Sequence, residues 1–238
     1  MTSSARQSIN WGQAFAEVVF IFIGVGIALL ADNWVDDQRE IREETQYLVS
    51  LRSDFEETRA NLVQTLDTVR ENRDLKLRFL ELLQGPTDSL SEDELSELIR
   101  LAFYMQMPSA TLATYNDMVN SGDLRLLRNS ELRLRLAEFD SKWDDYEAII
   151  AEGFEQWNQL HVPFLVHNTS VPSVYSSGYE GIEFPGDVQP IDRTKIWSQE
   201  FENIIAISVI SRQDMIYVGQ HMQQRVDQVL NLIEESLQ

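Results

Sequence analysis

The residue with the most unusual chemical setting is Glu17, a carboxylate inside the apolar run AEVVFIFIGVGIALLADNW at residues 16–34. An ionised carboxylate in a bilayer is costly unless it pairs with another group or reaches the interface, so such residues are candidates for function. Three roles follow for Glu17. It can make a polar contact to a partner chain, reach toward the lipid headgroups, or conduct protons or ions.

The other candidate groups do not form a constellation that supports catalysis. His161, His167 and His221 invite a metal interpretation, but they lack the regular ligand spacing of a zinc site, so we interpret them as surface or capping residues. Adjacent acids such as Asp144 and Asp145 fit solvated helix faces better than a general acid and base in such an acidic chain. The sequence therefore predicts no catalytic residue, no cofactor, no metal and no enzymatic activity.

The charge of the chain argues against one large class of partners. The 238 residues include 19 Lys and Arg against 39 Asp and Glu, which gives a formal net charge of -20. Such a charge repels the phosphate backbone of DNA and RNA, so we expect no nucleic-acid partner. With 43% hydrophobic residues, the chain can bury a folded core.

The apolar run is long enough for a membrane span. A bilayer core needs about 20 residues of helix, and the run extends over residues 14–35. Trp11 and Trp34 bracket it as interfacial anchors, about 35 Å apart along a helix. A cleaved signal peptide and a buried core helix are the alternatives. Arg6 as the sole basic residue before the run argues against the first, and the length of the run argues against the second.

One face of this predicted helix carries small residues. At about 100° per residue, the face that contains Glu17 also contains residues suited to close packing. These are Ala14, Ile21, Gly24, Ala28 and Ala31. Small residues four apart let a second helix approach closely in lipid, so we expect another membrane helix as partner, from a second copy or from a larger complex. The face should point away from the chain's own bundle.

The remainder of the chain has the periodicity of helices. Apolar residues recur every seven positions after the span, at Ile41, Leu48, Phe55, Leu62 and Val69. A helix of about forty residues is predicted at the C-terminus, and residues 161–190, with four of the six prolines, are predicted to form an irregular loop. The fold class is therefore all-α, with one N-terminal transmembrane helix leading into an elongated antiparallel helical bundle.

Helix ends are also marked in the sequence. Ser91 and Glu94 form a capping box, Gly122 suits a left-handed C-cap, and Asn129 or Ser130 can cap the following helix. The predicted organisation is a short tail at residues 1–13, the membrane helix at 14–35, and an acidic bundle at 36–238 that includes the Pro/Gly-rich loop.

Two stretches carry a resemblance to known proteins. The first contains Glu17, Ile23-Gly24, Ile27-Ala28-Leu29 and Asn33-Trp34, followed by QREIREETQYLVSLRSDFEE. The second is TYNDMVNSGDLRLLRNSELR, residues 114–133. Together they resemble an uncharacterised bacterial family, a domain of unknown function. The chain differs at Ala31-Asp32, where the family tends to have Gln-Ile, and lacks the family's basic N-terminal tail. The resemblance implies a single-pass membrane protein with an external helical domain and brings no activity.

These observations predict a non-enzymatic, single-pass protein of the bacterial inner membrane, with its N-terminus in the cytoplasm and its bundle in the periplasm. We expect it to act as an accessory or scaffold subunit, or as a homo-oligomer, with the lipid bilayer and another membrane helix as partners. One alternative is an oligomeric channel or proton-coupled component that uses Glu17. The other is an external ligand-sensing helical domain.

Overall fold

A computed structural model describes residues 11–104, 109–175, 183–186 and 189–238, without the side chains of residues 11–14, 16–19 and 21. Every regular element in these ranges is helical, which confirms the all-α fold class. The α-helices are α1 Trp11–Leu83, α2 Glu92–Ala102, α3 Ala113–Ser121, α4 Ser130–Gln156, α5 Val162–Asn168, α6 Val171–Tyr175, α7 Arg193–Ile196 and α8 Gln199–Leu237. A 3₁₀ turn at Asp123–Leu126 and a π-turn at Trp157–His161 complete the list.

Helix α1 is one unbroken element of 73 residues, about 110 Å long. Its sequence contains no proline, which is the commonest cause of a sharp kink. The helix includes Trp11, the first described residue, which lies inside the predicted tail, and it runs without interruption from the apolar run into the bundle. The two predicted segments are therefore parts of a single helix.

Helices α1 and α8 form the antiparallel spine of the bundle. Arg52 contacts Glu234 at 3.3 Å near one end, and Gln84 donates to Glu202 at 3.2 Å near the other. The inner positions of α8 alternate between spacings of three and four residues, as in a coiled coil. They are Ile205, Ser208, Arg212, Met215, Gly219, Met222, Val226, Val229 and Ile233, all buried.

Two hydrophobic cores are stacked along this spine. In the base core, α3 and α4 pack against residues 48–69 of α1 and 215–233 of α8. In the tip core, α2, α5, α6 and α7 pack around Phe79 of α1 and Phe201 of α8, whose rings meet edge to face at 5.4 Å. Both cores thus include residues of the same long pair.

The predicted caps are confirmed. Ser91 accepts from the amide of Glu94, whose carboxylate accepts from the Ser91 amide in return. Gly122 ends α3 with a φ of 80°, a conformation that a side chain disfavours. Asn129 caps α4 by accepting from the amides of Glu131 and Leu132.

The predicted irregular loop at residues 161–190 is wrong in part, because it contains α5 and α6. The prolines did not exclude these helices, since Pro163 lies in the first turn of α5 and Pro172 is the second residue of α6. For Pro172, at the start of a separate helix, a missing amide hydrogen costs no intrahelical hydrogen bond. Pro163 instead directly follows the π-turn, at the junction of two helical segments. Residues 176–182 and 187–188 of the predicted loop lie outside the described residues.

Within the part of the chain that the structure describes, no helix is long and apolar enough to cross a membrane. The span predicted over residues 14–35 therefore stays a prediction.

Candidate functional site

The candidate site is the apolar segment, which we define as residues 15–35 of α1. Large apolar side chains are exposed along it and around it, with exposed fractions between 52% and 74%. They are Phe15, Phe20, Phe22, Ile23, Val25, Ile27, Leu29, Leu30, Trp34 and Val35. Exposed apolar patches of this extent on a folded protein mark a site for a membrane or a protein partner.

The structure places part of the predicted small face on this segment. Gly24, Ala28 and Ala31 are exposed, and a Cβ added at Gly24 would meet no atom within 4 Å. The anchor Trp34 is also exposed, at 65%. The side chains of Trp11, Ala14, Glu17 and Ile21 lie outside the described residues, so the predicted roles of these four stay predictions.

The bundle begins immediately beyond the apolar segment, where ion pairs bind α1 to the chain around the 3₁₀ turn. Arg128 contacts Asp37 at 2.6 Å, and its backbone amide donates to Glu44 at 2.6 Å. Arg125 lies 3.7 Å from Glu40. Glu44 is the first buried residue of α1 among those described. These contacts fix α1 at the base of the bundle and leave the segment before it uncovered.

A second hydrogen-bonded contact supports the same junction. The Tyr47 hydroxyl donates to Asp123 at 2.8 Å, and Ser121 donates to the same carboxylate at 2.8 Å. The hydrogen bonds from Ser121 and Tyr47 lower the pKa of Asp123. The bond to the Asp123 carboxylate raises the pKa of Tyr47. The Asp123 carboxylate therefore stays ionised at the base of the bundle.

A polar layer separates the base core from the tip core. We define it as Asn72 and Lys76 of α1 with Ser208 and Arg212 of α8. Lys76 donates to the Ser208 hydroxyl at 2.7 Å, and Arg212 donates to the Asn72 side-chain oxygen at 3.2 Å. Lys76 is 0% exposed and Arg212 is 5% exposed. Sequence reasoning missed this layer, although Lys76 lies seven positions after Val69 and so continues the heptad stripe.

The partners of the two buried cations within the described chain are neutral. Arg212 donates to the Tyr104 carbonyl at 3.4 Å, and Asn72 donates to the Leu101 carbonyl at 2.7 Å. The Leu101 carbonyl lies in the last turn of α2, and the Tyr104 carbonyl lies two residues beyond the end of that helix. Neutral oxygens of Asn72, Ser208 and Tyr104 thus replace part of the hydration that the two cations lose on burial.

Burial shifts the titration of these groups. Loss of hydration, with a smaller contribution from Arg212, lowers the pKa of Lys76 well below its ordinary value. Burial lowers the pKa of Arg212 to about 10. His161 packs edge to face on Phe103 at 4.9 Å, and burial, together with the two cations, lowers its pKa to about 4.

The three histidines differ in how they agree with the sequence-based interpretation. His161 is 3% exposed, so the interpretation of it as a surface residue is wrong. The ring of His167 is hydrogen-bonded to the Pro163 carbonyl at 2.7 Å on α5, and His221 lies against Tyr217 on α8. Within the described ranges, no group of His, Cys, Asp and Glu has the arrangement of a metal site.

No family model, curated protein or solved structure matches this chain. The resemblance to the uncharacterised bacterial family stays a prediction. The fold and the candidate site define the chain as an elongated, two-core helical bundle from which one helix projects with an exposed apolar surface.

Proposed function

We propose that the protein is a non-enzymatic membrane protein, in which residues 14–35 of α1 cross the bilayer and the bundle binds partners as an accessory or scaffold subunit. The observation that carries this proposal is the exposed apolar segment. Burying apolar surface contributes about 25 cal/mol per Å², so a helix with this many exposed large side chains gains substantially from a hydrocarbon environment.

Two further observations support burial of the apolar segment in a membrane rather than in another hydrophobic core. The exposed apolar residues surround α1 instead of forming one stripe, as expected of a helix that faces lipid on most sides. The ion pairs of Arg125 and Arg128 with α1 begin at Asp37, two residues after the last residue of the apolar segment, Val35, so polar contacts start where that segment ends. We place the bundle outside the cytoplasm, as the family resemblance implies; basic residues lie on both sides of the segment, Arg6 before it and Arg39 and Arg42 after it, so their count favours neither orientation.

The bilayer proposal can be tested with a double substitution in the apolar segment. Ile23→Arg with Ile27→Arg places two charges near the middle of the proposed span, where each costs about 3 kcal/mol. We expect the wild-type protein to stay with the membrane fraction after sodium carbonate extraction, and the variant to shift largely to the soluble fraction.

A matched control uses the same substitution at exposed isoleucines on the bundle. Ile207 and Ile210 of α8 are 40% and 62% exposed, compared with 52% and 62% for Ile23 and Ile27. Ile207→Arg with Ile210→Arg should leave the protein in the membrane fraction. Release of the wild-type protein by carbonate would contradict the proposal, and so would equal release of both variants.

A further inference from the structure

A groove runs between the end of α4, the π-turn and α5 on one side and the first half of α8 on the other. It consists of two open cavities of about 330 and 230 Å³, which share Ile207. We call it the α8 groove. Apolar residues make up its central lining, namely Ile149, Leu160, Pro163, Ile204, Ile207 and Ile210.

Two apolar side chains at the centre of the α8 groove are exposed to solvent. Ile210 is 62% exposed and Ile207 is 40% exposed, while the inner face of α8 is buried against α1 and α4. The wall opposite includes Gln159 and Leu160 of the π-turn, and such turns are frequent at functional sites. The groove therefore offers apolar surface that this bundle leaves uncovered.

The acidic residues around the groove favour a partner with basic side chains. Its lining includes Glu152 of α4 and Glu200 and Asp214 of α8, all exposed. The remaining ionisable residue of the lining is His167, whose ring is hydrogen-bonded to the Pro163 carbonyl. A second copy of a chain with a net charge of -20 would bring further negative charge to this rim.

The dimensions of the groove fit a helix. Its lining on α8 extends from Glu200 to Asp214, which is about 21 Å along the helix axis. That length accommodates about four turns of a second helix, and an apolar stripe flanked by charged residues is how amphipathic helices seat in grooves.

We propose that the α8 groove binds a basic amphipathic helix of a partner protein. Apolar side chains of the partner would pack against Ile207 and Ile210, and its Lys or Arg side chains would face Glu152, Glu200 and Asp214. This inference rests on the partner-binding role proposed for the bundle and names the class of partner, but it does not require the membrane span. It depends on the bundle alone, so the two can fail separately.

The experiment uses the full chain in nanodiscs of zwitterionic lipid, or in plain buffer if carbonate extraction shows that the chain does not partition into membranes. The probe is a fluorescent 18-residue peptide of Leu and Lys in amphipathic order, and binding is measured by anisotropy with empty nanodiscs subtracted. We expect saturable binding that Ile210→Arg weakens at least about tenfold, since this change removes a central apolar contact and adds a like charge.

Three comparisons make the result decisive. Leu134→Arg, at an exposed position of α4 outside the groove lining, should leave the affinity unchanged. Neutralising Glu152, Glu200 and Asp214 together to their amides should weaken binding and reduce its salt dependence. A matched peptide of Leu and Glu should not bind.

Three outcomes would overturn the inference. The first is absence of saturable binding, and the second is equal loss of affinity in Leu134→Arg and Ile210→Arg. The third is dimerisation that depends on concentration and is abolished by Ile210→Arg, measured by analytical ultracentrifugation. That result would assign the groove to a second copy of the chain. Ile210→Arg leaves the apolar segment intact, so membrane association should persist in every case.

Discussion

Lys76 and Arg212 occupy inner positions of the α1–α8 pair that apolar residues occupy elsewhere along the spine. Burying a cation costs several kcal/mol unless polar partners replace its hydration. Here the partners are the Ser208 hydroxyl, the side-chain oxygen of Asn72 and the carbonyl of Tyr104, two residues after α2. A polar residue at one inner position is a known way to fix the register of a coiled coil, and we infer this role for the layer.

The cost of the buried ammonium can be measured with the double variant Lys76→Met and Ser208→Ala. It replaces both hydrogen-bonding partners with apolar groups, so no polar side chain of that pair is left unsatisfied. We expect the free energy of unfolding at neutral pH to rise by about 2 kcal/mol, measured by urea denaturation in mild detergent. The α1–α8 register should become less specific, visible as broader signals in nuclear magnetic resonance spectra.

The same variant should change how stability depends on pH. Because the pKa of Lys76 is lower in the folded protein than its ordinary 10.5, the unfolded chain binds the extra proton between those two values. Lys76 therefore destabilises the fold as the pH falls through that window, and the advantage of the variant should grow from pH 10.5 toward neutrality. Lys142→Met, at an exposed lysine that pairs with Asp145, is the control and should change stability little. A double variant less stable than wild type at neutral pH would refute this account.

At the scale of elements, α8 packs closely against α1 and α4 at Gly219. A Cβ added there would lie 2.5 Å from the Leu66 Cδ2 atom of α1 and 2.9 Å from the Tyr146 hydroxyl of α4. These distances are too short for any larger residue without a shift of the core. Burial raises the pKa of Tyr146 to about 12, and its hydroxyl has no hydrogen-bond partner within the described chain. The three long helices thus meet at a glycine.

The elements were largely predictable from the sequence because their signals are local. The capping box at Ser91 and the turn at Gly122 need only neighbouring residues, and the heptad stripe needs only one helix. The polar layer and the α8 groove were not predicted, since they depend on which residues of distant helices face each other. The seven-residue periodicity places Lys76 at an inner position of α1. It could not show that Tyr104, just after α2, lies beside Arg212. The π-turn has no sequence signature that we recognise.

The small face of the apolar segment gives a prediction at the scale of one helix. Gly24 and Gly26 both have open space around them, and on an ideal helix they point about 200° apart. If Gly24 packs against another membrane helix, Gly24→Leu should separate that contact, because a large side chain prevents close approach. We expect the assembly purified in mild detergent to become smaller by size-exclusion chromatography with light scattering.

Gly26→Leu is the matched control for this prediction, since it introduces the same side chain on the opposite side of the same helix. It should leave the assembly unchanged. If both variants migrate like the wild-type protein, the small face is not an interface. Mass spectrometry of the purified assembly then distinguishes a second copy from a subunit of another protein.

At the scale of the whole molecule, the continuity of α1 sets the geometry of the protein. Residues 36–83 form a stretch of helix about 70 Å long. If residues 14–35 span the bilayer, the tip core stands at about this distance from the membrane surface. The α8 groove extends along α8 from the level of the polar layer to that of the tip core, so a partner helix would bind well above the lipid.

A continuous α1 also predicts a specific distance across the base of the bundle. The chain contains no Cys, so paired cysteines can be introduced for spin labels without removing native ones. Labels at Leu29 and Glu57 span the point where α1 enters the bundle, whereas labels at Val49 and Leu77 lie entirely within it. Both pairs are 28 residues apart, so each should give about 42 Å along an unbroken helix.

The comparison between these pairs tests whether the apolar segment and the bundle move as one body. Equal mean distances with equally narrow distributions in pulsed electron paramagnetic resonance, recorded in nanodiscs, are expected if α1 is straight. A kink or hinge between residues 34 and 44 would shorten or broaden the first distance and leave the second unchanged. In that case the ion pairs of Arg125 and Arg128 hold a flexible joint, and the height of the groove above the membrane would vary.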